Sequence, residues 1–241
     1  MYMTTSNTVL QRLYLIQVAT SPSVPCYLIQ TNDGKNILID SGLPSQMPEG
    51  FRPPPDMPPV VLGKNVIEQL AGLGVQPADI STLIATHFDM DHAGNLDAFT
   101  NAEVIVQRPH YEMARGGHPR FAPARPHWDH PDLRYRFVDG DTELLPGLKL
   151  IETSGHVTAH QAVFLRLPHT GPVLLTIDSV LTQSDFTMDR KASQMDENEQ
   201  ELLASTRKLL DLVQREHVDL IIFGHDAEQW KTLKKAPEYY D

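Results

Sequence analysis

From Ile84 to Asn95 the chain reads Ile-Ala-Thr-His-Phe-Asp-Met-Asp-His-Ala-Gly-Asn, and this stretch constrains the fold more than any other. His87, Asp89, Asp91 and His92 place two imidazoles and two carboxylates within six residues. The apolar run at residues 81–85 leads in and Ala93-Gly94-Asn95 leads out toward a helical pattern, so the order is strand, loop, helix. Side chains at the C-terminal end of such a strand face the crevice where α/β folds keep their chemistry. Donors at positions 87, 89 and 91 can converge on one point while His92 faces a neighbouring one. Oxygen and nitrogen ligands at this density predict a metal site.

The remaining strands are read around that stretch. Residues 9–18 predict a first strand. Residues 26–30 and 36–40 predict a hairpin closed by Asn32-Asp33-Gly34, a turn that tolerates positive φ. Residues 43–59 are dense in proline and without periodicity, which excludes a helix or an inner strand and suggests a wall or lid. Helical spacing follows over 60–72, ended by Gly72 and Gly74. A strand at 103–107 and a helix over 109–114 precede a segment, 118–135, rich in Pro, Arg, His and aromatics. His110, His118, His127 and His130 fall in or beside that segment at irregular spacing and read as surface histidines. Strands at 136–138, 142–145, 148–153, 162–167, 173–177 and 218–223 complete the pattern, with an amphipathic helix over 197–216. Hairpins interrupt any continuous βαβ winding. The expected architecture is therefore α/β (α+β), an αββα four-layer sandwich formed as one domain over residues 1–241.

Composition narrows the class. A net charge of −11 and the absence of a Lys/Arg cluster argue against nucleic acid. A lone Cys26 excludes an intrachain disulfide, and no apolar run is long enough for a signal or a membrane span, so a cytoplasmic protein is expected.

Three further strand-then-polar junctions repeat the first. His156 follows the strand ending at 153, Asp178 the strand ending at 177, and His225 the strand ending at 223. A single buried strand followed by His usually means a hydrogen-bonded structural histidine; four such junctions in one chain do not. Seven ligands exceed one tetrahedral ion and suit two ions sharing a bridging carboxylate and a bridging water.

These residues resemble the metallo-β-lactamase superfamily, and within it the N-acyl-homoserine lactone lactonases, the quorum-quenching enzymes. The likeness extends to Val24-Pro-Cys-Tyr-Leu-Ile29, Ile39-Asp-Ser-Gly-Leu-Pro44, residues 173–178 and Phe223-Gly-His-Asp-Ala-Glu-Gln229. The resemblance implies a hydrolase that opens a lactone ring by attack of a hydroxide shared between two divalent metal ions. It puts His87, Asp89, His156 and Asp178 on one ion, and Asp91, His92 and His225 on the other, with Asp178 bridging. Asp91 takes the further role of carrying a proton to the leaving oxygen. A small-molecule substrate is the implied partner, with a homodimer allowed.

Two departures stand out. Asp89 occupies the position of the family's second histidine, and Leu181 that of a tyrosine contacting the substrate carbonyl. Zinc is the metal implied by resemblance, but an extra carboxylate shifts preference toward iron, manganese or cobalt. Three carboxylates and one hydroxide against two dications give a net charge of zero, one unit less positive than with histidine at 89. Tyr111, Tyr135 or a backbone N–H could replace the missing hydroxyl. Alternative substrates on the same site are a thioester, for which Arg120, Arg125, Arg134 and Arg136 could form a basic pocket, or a phosphodiester. A di-iron protein without hydrolytic activity is the remaining reading.

Overall fold

The computed structural model describes residues 8–47 and 60–241. Among the described residues, eleven strands form two sheets. The first runs β1 (Leu10–Thr20), β2 (Ser23–Thr31), β3 (Asn36–Ile39), β4 (Ile80–Ile84), β5 (Glu103–Gln107) and β6 (Arg134–Val138) in spatial order. β1, β2 and β3 are antiparallel neighbours, and β3 to β6 run parallel. The second sheet has the order β11 (Leu220–Phe223), β10 (Gly171–Ile177), β9 (Gln161–Leu167), β8 (Leu148–Glu152) and β7 (Thr142–Leu145).

Period-two alternation explains how the sheets stack. Leu13, Leu15, Tyr27, Ile29, Ile37 and Ile39 of the first sheet meet Leu148, Leu150, Val163, Leu165, Val173 and Leu175 of the second in one buried layer. The alternate residues of the first sheet, among them Ile16, Leu28, Leu38 and Val104, pack outward against α1 (Val66–Gly72) and Ala114 of the later helix Arg108–Arg115. Phe164 and Leu174 of the second sheet pack outward against Leu209 and Leu212 of the helix Glu199–Glu216. Strands covered on both faces need apolar residues at consecutive positions, as Leu83-Ile84 and Val104-Ile105-Val106 show. The result is the expected αββα sandwich. Among the described residues, no helix is long and apolar enough to cross a membrane.

The helix expected over 60–72 begins only at Val66. Asn65 accepts from the Glu68 N–H while the Glu68 carboxylate accepts from the Asn65 N–H, a reciprocal cap that sets the start. Ahead of it, Leu62 is 59% exposed and bridges to Ala19 at the edge of β1. Leu62 fitted a helical period by coincidence. Of the proline-rich wall expected over 43–59, residues 48–59 lie outside the described residues.

In numbering the helices, α2 is Met90–Ala93, α3 is Arg108–Arg115, α4 is Arg125–Trp128, α5 is Glu199–Glu216 and α6 is Ala227–Trp230. Strand direction decides where the chemistry collects. β10 and β11 are parallel, and β9 is antiparallel to both β8 and β10, so β8, β10 and β11 end at the same edge of their sheet. The end of β4 is tied to that edge by Gln161, whose N–H donates to the Thr86 carbonyl and whose side chain donates to the Ala85 carbonyl.

Candidate metal centre

Each of the four junctions delivers its side chains to one place. After β4 the chain turns through His87 and Asp89 into the short helix α2, which carries Asp91 and His92. This turn is seated closely: a Cβ on Gly94 would lie 2.3 Å from Pro44 N and 2.6 Å from the Gly42 carbonyl oxygen. His156 follows β8, and His225 follows β11. Asp178 leaves β10 beside a register shift at Ile177, whose φ of 54° is a strained conformation for a β-branched residue.

Asp178 lies between two groups. Its Oδ1 is 3.2 Å from His92 Nε2 and 3.0 Å from His225 Nε2, while its Oδ2 is 3.4 Å from His156 Nε2 and 3.9 Å from His87 Nε2. Asp89 Oδ2 lies 3.3 Å from both His87 Nε2 and His156 Nε2. Asp91 Oδ2 lies 3.7 Å from His92 Nε2 and 3.8 Å from His225 Nε2. The donor sets His87/Asp89/His156 and Asp91/His92/His225 could each hold a metal ion, as could His87/His92/Asp178. His87 Nε2 and His92 Nε2 are buried with no hydrogen-bond partner. A buried polar atom without a partner is costly, and a cation between these groups removes that cost. The residues fit metal ions.

Carboxylates and a hydroxyl behind the histidines orient the rings. Asp40 is wholly buried, accepts from the Thr86 N–H and hydroxyl at 2.8 Å each, and sits 2.8 Å from His92 Nδ1. Asp196 Oδ1 lies 3.0 Å from His156 Nδ1, and the Thr86 hydroxyl lies 3.0 Å from His87 Nδ1. Such partners leave Nε2 facing the site. Burial, then the neighbouring His92 charge, pushes His87 down to about 3, so its ring is neutral and available to a cation.

Several of these contacts were not visible in the sequence. Asp196 comes from an irregular segment before α5. Arg120 comes from the turn Pro119–Phe121 and grips Asp89 with two bonds, Nε to Oδ1 at 2.7 Å and Nη2 to Oδ2 at 2.5 Å. That pair outweighs the effect of burial on Asp89 and holds its carboxyl well below the usual range. The thioester alternative offered Arg120, Arg125, Arg134 and Arg136 for a basic pocket. Instead Arg125 pairs with Asp129, Arg134 donates to the Asn101 carbonyl, and Arg136 lies near Glu103. Of the two tyrosines offered as a replacement at Leu181, Tyr135 has its hydroxyl committed elsewhere. Tyr135 donates to the Trp128 carbonyl, and Tyr111 packs among Phe88, Tyr135 and Phe137.

His110 is a correction to the expected surface histidines, because it is fully buried. Its Nε2 accepts from the Phe88 N–H at 2.9 Å and its Nδ1 donates to the Thr158 carbonyl at 2.9 Å, tying the loop after β4 to the loop after β8. Its position just past the end of a parallel strand was the available signal. Burial pushes this ring down to about 4 from 6.5. Below pH 6.5 the unfolded chain takes up a proton that the folded one refuses, so stability falls as pH drops through that window. The shift corresponds to about 2 kcal/mol between pH 7.5 and pH 5. His110→Ala is expected to cost about 1–3 kcal/mol at pH 7.5 by leaving the Phe88 N–H unpaired. It should also lose less stability on acidification than the wild type. Urea midpoints at the two pH values measure both effects, and parallel losses in the two proteins would refute the assignment.

Comparison with known proteins agrees with this geometry. The chain belongs to the metallo-β-lactamase superfamily, whose family model matches residues 20–225. Within that class it is 35% identical over 221 residues to an N-acyl homoserine lactonase of Bacillus thuringiensis, covering 89% of this chain and 85% of the relative. An N-acyl homoserine lactonase AttM of Azorhizobium caulinodans is 35% identical over 198 residues, covering 73% and 69%. Among solved structures, an N-acyl homoserine lactone hydrolase with N-hexanoyl-L-homoserine bound at its catalytic metal centre superposes with a TM-score of 0.84. It is 30% identical, with 96% of this chain and 100% of that one covered.

Proposed function

We propose that this protein opens the lactone ring of N-acyl homoserine lactones, with two divalent cations held by the seven side chains. The observation that carries this reading is Asp178, whose two oxygens face separate donor groups in a chain 35% identical to a lactonase. His87, Asp89, His156 and Asp178 would hold one cation, and Asp91, His92 and His225 with Asp178 the other. Bound there, such cations would supply Lewis acidity for the ester carbonyl and for a water nucleophile at neutral pH. Zinc is the metal of the family resemblance; the Asp89 oxygens favour iron, manganese or cobalt in the first group. We read residues 1–241 as one hydrolase domain, cytoplasmic because its single cysteine is free and buried.

The chain's own residues account for the rest of the reaction. Hydrolysis adds water across the ester bond: the acyl carbon gains a hydroxyl, and the ring oxygen that leaves gains a proton. Asp91 is the carboxylate that carries it, since its side chain is 30% exposed where Asp178 is 6% exposed, and a carrier must reach the leaving group. Asp40 and Asp196 keep His92 and His156 from turning their Nε2 atoms away. A cleft of about 800 Å3 opens beside His225, lined by Thr182, Gln183, Ser184, Asp226, Ala227 and Glu228. Its hydroxyl and amide groups suit the polar homoserine lactone head.

The test is a substrate panel of acyl-homoserine lactones, S-lactoylglutathione and bis-p-nitrophenyl phosphate. Lactones are expected to be hydrolysed fastest, with activity lost on exhaustive chelation and regained on adding divalent metal. Turnover indifferent to chelation, or a thioester or phosphodiester preferred over every lactone, would refute the proposal.

A further inference from the structure

The two donor groups are not equally free to take a cation. The Arg120 side chain, 17% exposed, reaches into the first group. Its Nη2 lies 2.5 Å from Asp89 Oδ2 and 2.8 Å from His156 Nε2, and its Nη1 is fixed by the Met195 carbonyl at 2.6 Å. His156 Nδ1 faces Asp196 at 3.0 Å; an ionised carboxylate only accepts, so Nδ1 bears the proton. Nε2 is then left with one in-plane lone pair, which can serve Arg120 or a metal ion but not both. Asp89 Oδ2 is shared in the same way. The second group differs. Among the described residues, Asp91 and Asp178 form ion pairs with histidines alone and with no Lys or Arg.

We propose that Arg120 is an intramolecular competitor for the first cation, so that the protein loads its metals in order. The Asp91/His92/His225 group fills first, and the His87/Asp89/His156 group fills only when a cation displaces Nη2 from His156. This rests on the proposed metal centre and adds an asymmetry to it. Arg120 also accounts for the aspartate at 89. The guanidinium returns the unit of positive charge that a carboxylate removes from the site. Its Nε–Asp89 Oδ1 and Nη1–Met195 contacts use no lone pair that the cation needs. Arg120 is therefore a positioning residue that sets how much metal the first group holds at a given concentration.

The experiment titrates the chelated full chain with Zn2+ by calorimetry, with bound metal counted by elemental analysis. The wild type is expected to bind in two steps separated by at least ~10-fold in affinity, the scale of one nearby charge. Arg120→Gln keeps an amide donor but removes the charge and the reach of the guanidinium, and should tighten the weaker step by about tenfold or more. Arg120→Ala should do the same, and circular dichroism shows whether each variant is folded; if one is not, the other decides. His225→Ala should remove the tight step and leave the weak one. Weaker first-group binding in both Arg120 variants would overturn the proposal, since Arg120 would then be holding Asp89 ready as a ligand. Two equal steps in a wild type that still opens lactones would overturn it too, leaving the lactonase reading intact. No zinc bound by any form would overturn both.

Discussion

Asp178→Asn is expected to lower kcat/KM for lactone opening by at least ~10^3-fold, about 4 kcal/mol of transition-state stabilisation. The size follows from position. Each oxygen of Asp178 faces a different donor group, at 3.0 Å from His225 on one side and 3.4 Å from His156 on the other. An amide keeps the shape but gives up the charge, and one of its two ends becomes a donor turned toward imidazole. Metal content should fall together with activity, from two ions to one or fewer. Asp40→Asn supplies the contrast. The Asp40 carboxylate meets His92 Nδ1 and Thr86, so its loss should weaken metal binding by about 10–100-fold while the other group persists. If Asp178→Asn retained two ions and more than a tenth of the activity, Asp178 would not be the shared ligand.

The positions of the seven donors were legible because each follows a strand that the core requires. Buried strands announce themselves as apolar runs, and a His or Asp placed directly after one has few places to go other than the sheet edge. Asp40 gave the same signal, standing after the run Asn36–Ile39, yet nothing in the sequence told whether it would meet a cation or a histidine. It meets His92. Arg120 and Asp196 gave no such signal. They stand in irregular segments whose path depends on what they pack against, and periodicity carries no information there. Tyr135 was no better marked, for a related reason. Tyr135 lies on β6, where strand alternation turns it to the outer layer with Phe88 and Trp128 rather than to the site. His110 was expected at the surface because it stands beside a Pro-rich segment at irregular spacing, yet it lies in the first turn of α3, just past the end of β5, where packing buries it.

Gly155→Ala is expected to destabilise the protein by on the order of 4 kcal/mol and to lower the melting temperature by about 10 °C. Gly155 has φ at 129°, where side chains are rarely accommodated, and an added Cβ would lie 2.2 Å from the Leu202 N and 2.4 Å from its Cα. Those are backbone atoms of α5, so no rotamer change relieves the clash. The same glycine anchors the segment that precedes α5, because its carbonyl accepts from the Glu197 and Asn198 N–H groups at 2.9 Å each. Asp196 stands next to them and orients His156. Pushing α5 away therefore loosens the fold and the first donor group together, and first-group metal affinity should fall in whatever fraction remains folded. Gly72→Ala is the matched control, since a Cβ there meets nothing within 4 Å and its φ is ordinary. That exchange should leave the melting temperature unchanged or slightly raised, as alanine favours a helix over glycine. Equal melting temperatures for Gly155→Ala and the wild type would show that α5 can shift without cost and that its docking does not hold His156 in place.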